Sequence, residues 1–249
     1  MFESMNLKIG RAKAHVRELE VLFETFAREN KPRLVVDKHE GMHRFRAAAE
    51  KIPDDFGLIL GDAIHNLRSA LDHLMWEFLG STIDNGTQNK HTKLIAHPTK
   101  TAYDGFCCGI LTPRADTKAF FKSLEIFPGG NGDAIYTLHD LDIADKHKVL
   151  TPVVGVAQIT RFEASLTTGG TITVGGGGGR VDNDGYAEFL QIGMPIDKIE
   201  VHGEPTFEAV FGEVDRVSGK PIIPTLLHFT QSVERVRTDA IDFVNTRHP

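Results

Sequence analysis

Residues 58–79 read LILGDAIHNLRSALDHLMWEFL, and the order of side chains in this stretch decides how the chain is organised. An α-helix turns about 100° per residue. On that turn Ile59, Leu60, Ala63, Ile64, Leu67, Ala70, Leu71, Leu74, Met75 and Phe78 fall in one arc of about 160°. Asp62, His65, Asn66, Arg68, Ser69, Asp72 and His73 fall in the complementary arc. A merely solvated helical face is usually built from Lys and Glu, which are good helix formers. Neither occurs between Ile59 and Met75. The stripe holds instead the residue types that bind metals, phosphates or protons. Leu58 and Trp76 lie on the same arc near its ends, so the stripe is expected to line a cleft or a helix seam.

Working outward, Pro53-Asp54-Asp55 is a helix start, and Gly80, Ser81 and Asn85-Gly86 end the segment near Leu79. Upstream, Leu7, Ile9, Ala12, His15, Val16, Leu19, Leu22 and Phe23 recur at near-helical spacing and predict a helix over residues 3–29. Residues 33–37 and 43–48 read as a hairpin turning at residues 39–41. Downstream come a polar loop over 81–100, short helices near 100–110 and 114–125, and a helix over about 133–147. From 151 to 214 the composition shifts to Thr, Val and Gly, with strands expected at 152–162, 171–174, 186–192, 198–203 and 206–214. The five-glycine run at 175–179 reads as a flexible loop. A last helix is expected over about 224–246, beginning after Pro224 with Thr225 near its start. The expectation is an α+β chain: one domain over 1–249, a helical core of 1–150 and 222–249, and a β-rich insertion or layer over 151–221.

Composition narrows the class. The chain has 249 residues, 41% hydrophobic and 25% charged, as expected of a globular protein. A net charge of -6 gives no global attraction to nucleic acid, so such a partner would need a local basic groove. Arg44 with Arg46, or Arg235 with Arg237, are the candidates. No apolar run approaches the roughly 20 residues that span a bilayer, and residues 1–15 lack the apolar core and cleavage site expected of a signal peptide. The two cysteines, Cys107 and Cys108, are adjacent, a poor framework for a disulfide or for zinc. They are expected as buried or half-buried free thiols of a cytoplasmic protein.

A second polar constellation follows at His139, Asp140, Asp142, Asp145, Lys146 and His147. His139, Asp142 and Lys146 share a helical face, which is expected to meet the first stripe. Motifs for dinucleotides, nucleoside triphosphates, serine hydrolases of the GxSxG kind and HExxH zinc enzymes are absent.

Arg68-Ser-Ala-Leu-Asp-His73 has the form R-x4-H on a helix. It resembles the HEPN superfamily, many of whose members are metal-independent ribonucleases of toxin–antitoxin, abortive-infection and CRISPR systems. Ser69 stands where Asn, Asp or His is commoner after the Arg. The stretches HNLRSALDHL and DKH also look like those of a family of uncharacterised bacterial proteins. The resemblance implies an endoribonuclease without cofactor, with RNA as partner and a homodimer whose two motifs line one cleft. Its site would be Arg68, His73, Asn66, Ser69 and Asp72. His73, with an ordinary pKa of about 6.5, would take the 2′-hydroxyl proton. Arg68 would stabilise the phosphorane-like transition state through its fork of donors. Ser69 and Asn66 are expected to orient the His73 ring, and Arg68 to pair with Asp72 or Asp142.

Two other functions fit the same residues. Asp62, His65, His139, Asp142 and His147 could hold one divalent transition metal in a helical bundle. Alternatively the stripe is a buried polar seam that fixes helix register in a binding or structural module.

Overall fold

The computed structural model describes residues 2–31, 33–79, 93–109, 115–159, 161–174, 177–180, 186–202 and 206–246. The amphipathic stretch is one unbroken helix, α2, over Asp55–Leu79. Its apolar arc is the core-facing side: Leu60, Ile64, Leu67, Leu71 and Leu74 are wholly buried. Burying each such side chain contributes about 1.5–3 kcal/mol, so this face is a main anchor of the helix. Before it come α1 (Glu3–Glu29) and the strands β1 (Arg33–His39) and β2 (Met42–Ala48). After it come α3 (Lys100–Cys108), α4 (Ala115–Ser123) and α5 (Asp133–His147). Strands β3 (Pro152–Ile159), β4 (Arg161–Leu166), β5 (Thr171–Val174), β6 (Gly177–Arg180), β7 (Tyr186–Ile192), β8 (Ile196–His202) and β9 (Thr206–Phe211) follow. Helix α6 (Ile222–Asn245) closes the chain, with Pro224 in its first turn, where a missing N–H costs nothing. The fold is α+β.

The chain divides into two compact units. The first comprises residues 1–19, 57–150 and 223–249. It is helical, and an aromatic cluster ties its elements together. Phe78 of α2 stacks on Phe2 at 5.9 Å and on Phe120 of α4 at 5.3 Å, and Phe120 meets Phe243 of α6 at 4.8 Å. Lys13 of α1 pairs with Glu234 of α6 at 2.6 Å. Thr99 caps α3 by accepting a hydrogen bond from the Ala102 N–H. The buried face of α1 is Met5, Ile9, Ala12, His15, Val16 and Leu19, which keeps the middle of the expected stripe and leaves out Leu7, 70% exposed.

The second unit comprises residues 20–56 and 151–222. Among the described residues it holds three antiparallel three-stranded sheets, ordered β1-β2-β7, β6-β3-β9 and β5-β4-β8. Phe45, Ala164 and Ile192 form its buried cluster, flanked by Ile172, Leu190, Ile196 and Ile199. The hairpin β1–β2 turns through Glu40 and Gly41, both at positive φ, the geometry that matches the twist of paired strands. This hairpin pairs with β7, so it groups with the later strands rather than with the helical residues around it in sequence.

Two expectations about the strands are corrected. The segment 152–162 is not one strand, since β3 ends at Ile159 and β4 begins at Arg161 and pairs elsewhere. The glycine run is not wholly loop, because Gly177–Arg180 pairs with β3. Glycine carries no side-chain alternation to announce a strand, and here the partner strand supplies the order. Cys107 is buried and Cys108 exposed, both free, so only one of the expected sheltered thiols is sheltered. Burial pushes the Cys107 thiol up to about 11, which leaves it unreactive.

No helix among the described residues is long and apolar enough to cross a membrane.

Candidate functional site

All seven stripe residues lie on α2 within the helical unit, and His139 and Asp142 of the second constellation meet them from α5, while Lys146 and His147 are exposed. Among the described residues two side-chain contacts join the faces. His65 Nδ1 lies 2.9 Å from Asp142 Oδ1, and Arg68 Nε donates to His139 Nδ1 at 3.1 Å. The close approach of the helices depends on Gly61. A Cβ there would stand 2.5 Å from the Asp145 carboxylate. Burial raises the Asp145 carboxyl above its ordinary range, against a hydrogen bond from the Leu150 backbone. Gly61→Ala must push the Asp145 carboxylate, the end of a movable side chain, away from the Leu150 N–H. That loss of about 1 kcal/mol offsets the similar gain from the better helix former, so a net change under about 1 kcal/mol is expected in chemical denaturation.

Arg68 is 5% exposed. Its Nη1 donates to Asp72 Oδ1 at 2.6 Å and its Nη2 to the Leu94 carbonyl at 3.1 Å. Asp72 Oδ1 in turn accepts the Leu94 N–H at 2.8 Å. Arg68 and Asp72 thus hold both polar groups of one peptide residue, a two-point clamp on the segment that contains Leu94. Leu94 itself is buried beside them. Asp142 is not the partner of Arg68. It is 4% exposed and is bound by His65 and by Lys146 Nζ at 2.5 Å.

The contact with Arg68 fixes the state of His139. A guanidinium only donates, so His139 Nδ1 must present a lone pair and the neutral ring carries its proton on Nε2. Burial, and then the Arg68 charge, pull this imidazole below its ordinary range. An unfolded histidine titrates near 6.5, so below that pH the unfolded chain binds a proton that the native state refuses. The contribution is present above about pH 6.5 and is lost as pH falls through the depressed native value. The urea midpoint is expected to drop between pH 7 and pH 5, with a smaller drop in His139→Gln, whose amide oxygen can still accept from Arg68.

His73 departs from expectation. Ser69 and Asn66 do not orient its ring, and it has no hydrogen-bond partner among the described residues. Ser69 Oγ lies 3.3 Å from His65 Nε2 instead. Asn66 donates to the Asp62 carbonyl at 2.8 Å and accepts from Lys8 Nζ at 3.3 Å. The half-buried His73 opens onto a shallow pocket of about 500 Å³, lined by Ser4, Lys8, Ser69, Asp72, His73 and Trp76.

Sequence reasoning missed Ser4 and Lys8. They lie one turn apart on α1, a spacing that gives them a shared face, but nothing in the sequence pairs that face with α2. The basic grooves foreseen elsewhere are otherwise engaged. Arg44 and Arg46 both pair with Asp37, whose carboxyl they hold below the usual range. Arg235 donates to the Asn131 carbonyl and Arg237 to Asn6. The metal alternative finds no ligand set: among the described residues no three His, Cys, Asp or Glu side chains converge. The ring nitrogens of His65 and His139 that face α5 and α2 are spent on Asp142 and Arg68, and His147 is exposed.

No protein-family model matches the chain, and no curated protein or solved structure matches it.

Proposed function

We propose that the pocket between α1 and α2 is the site of a metal-independent endoribonuclease of the HEPN kind. The observation that carries this reading is the pocket lining: an imidazole with no hydrogen-bond partner among the described residues, a lysine and a tryptophan around an open cavity. Single-stranded RNA is held by stacking its bases on aromatic rings and by neutralising its phosphates. Trp76 supplies the ring and Lys8 the charge. His73 takes the proton from the ribose 2′-hydroxyl as that oxygen attacks phosphorus; the bond to the 5′-oxygen breaks, and that oxygen leaves as a hydroxyl by taking a proton from water. Lys8 takes the electrostatic role first expected of Arg68, whose guanidinium is committed to the clamp. Because the pocket is open on one side, a second chain could close it, in keeping with the homodimer that the R-x4-H resemblance implies.

Trp76 is the chain's single tryptophan, so fluorescence excited at the red edge, where tyrosine does not absorb, reports on this pocket. Titration with a short single-stranded RNA is expected to quench it saturably, more weakly as salt rises, and Lys8→Ala should weaken binding and flatten the salt dependence. An unchanged spectrum at saturating RNA would remove the pocket as the RNA site.

One observation favours a second reading, a non-catalytic module with a polar seam. Arg68 is buried and each of its three guanidinium nitrogens is bonded within the chain, which is what a register-fixing network requires. The two readings share the clamp and part company at His73.

A further inference from the structure

The stripe contains a second chemical arrangement that the ribonuclease reading does not use. Ser69 Oγ lies 3.3 Å from His65 Nε2, and His65 Nδ1 lies 2.9 Å from Asp142 Oδ1. The ionised Asp142 can only accept, so in the neutral ring Nδ1 carries the proton and Nε2 offers its lone pair to the Ser69 hydroxyl. This is the order hydroxyl, imidazole, carboxylate by which a serine is activated on unrelated folds, and it is recognised by geometry and roles rather than by sequence position.

A Ser and a His one helical turn apart touch commonly, and that contact alone would mean little. Three further facts separate this case. The carboxylate comes from a different helix, α5, and is 4% exposed, so the imidazole has a fixed, water-poor partner. Lys146 neutralises the outer oxygen of that carboxylate, at 2.5 Å, and leaves the inner one for His65. Ser69 lines the open pocket beside Lys8, whose ammonium can face a developing oxyanion, and Trp76, which offers an apolar wall to an acyl group.

We propose that Ser69 is a nucleophile, activated by His65 and oriented through Asp142, that accepts acyl groups from small uncharged or anionic esters. In the first step the Ser69 proton passes to His65 Nε2 as the Oγ–carbon bond forms. The bond to the leaving alcohol breaks, and His65 returns the proton to that alcohol. In the second step water gives a proton to His65 and attacks the acyl carbon. The Oγ–carbon bond breaks, Ser69 regains the proton, and a carboxylic acid departs. Ser69 and His65 are the catalytic residues, and Asp142 is a positioning residue. The inference does not depend on RNA being a ligand of the pocket.

The test is covalent labelling of the full chain with an alkyl fluorophosphonate, located by peptide mass spectrometry. The expected result is a single phosphonyl adduct on Ser69 in the folded wild type. Ser69→Ala should lose it. His65→Gln should label about 10²–10⁴-fold more slowly. His65 is half exposed, so this change is expected to leave the fold intact, with circular dichroism as the check. Asp142→Asn is a second variant and should slow labelling while keeping the adduct on Ser69. No adduct at Ser69, an adduct only on other residues, or labelling of folded His65→Gln at the wild-type rate would each overturn the proposal.

Discussion

Arg68→Ala is expected to destabilise the helical unit by roughly 3 kcal/mol, at the low end of what removing one partner of a buried ion pair costs. The low end applies because the Asp72 side chain is 38% exposed and can regain water. The Leu94 carbonyl cannot do so as readily, and an unmatched buried acceptor costs about 1–3 kcal/mol. For a chain of this size the change corresponds to a fall in Tm of about 6–12 °C. Arg68→Lys should recover only part of it. A lysine has one nitrogen and cannot reach Asp72, the Leu94 carbonyl and His139 in the planar fork that the guanidinium provides. Hydrogen exchange gives the local counterpart: the Leu94 amide, bound to Asp72, should lose protection more than the amides of α6. A wild-type midpoint in Arg68→Ala would show that the clamp contributes nothing.

His73→Ala should do the opposite. The ring has no hydrogen-bond partner among the described residues and is half exposed, so its removal is expected to change stability by under about 1 kcal/mol. If it is the base, RNA cleavage should fall by about 10²–10⁴-fold. The pair Arg68 and His73, joined in the R-x4-H motif, is thereby divided. One residue holds the fold and the other faces the pocket. A motif fixes spacing along the helix, but the two positions differ by about 140° around it, so they need not share a task.

The fold was legible where the side-chain pattern is set by one element alone. The segregation of Leu60, Ile64, Leu67, Leu71 and Leu74 from the polar stripe announced α2, and Pro53-Asp54-Asp55 its start. The turn at residues 39–41 was legible, since Gly41 at positive φ is a backbone demand written in the sequence, whereas Glu40 at positive φ carries no such signal. Strand β6 was not legible, because a run of glycines shows neither face nor alternation and takes its order from pairing with β3. The site divides in the same way. A helical wheel placed His65, Arg68, Asp72 and His73 on one stripe and His139 and Asp142 on another. It could not say that Arg68 would spend its donors on a backbone carbonyl, because the Leu94 peptide has no signature. Nor could it bring Lys8 from α1 to the pocket, since which helices pack together is a property of the whole unit.

Incubation of purified chain with single-stranded RNA in the presence of EDTA, with His73→Ala alongside, decides whether His73 is the base of an RNA-cleaving site. The wild type is expected to cut the RNA and leave 2′,3′-cyclic phosphate ends, as attack by the 2′-oxygen requires. His73→Ala, equally stable to urea, should cut at least about a hundredfold more slowly. Intact RNA with the wild type, or cleavage by His73→Ala at the wild-type rate, would contradict that role.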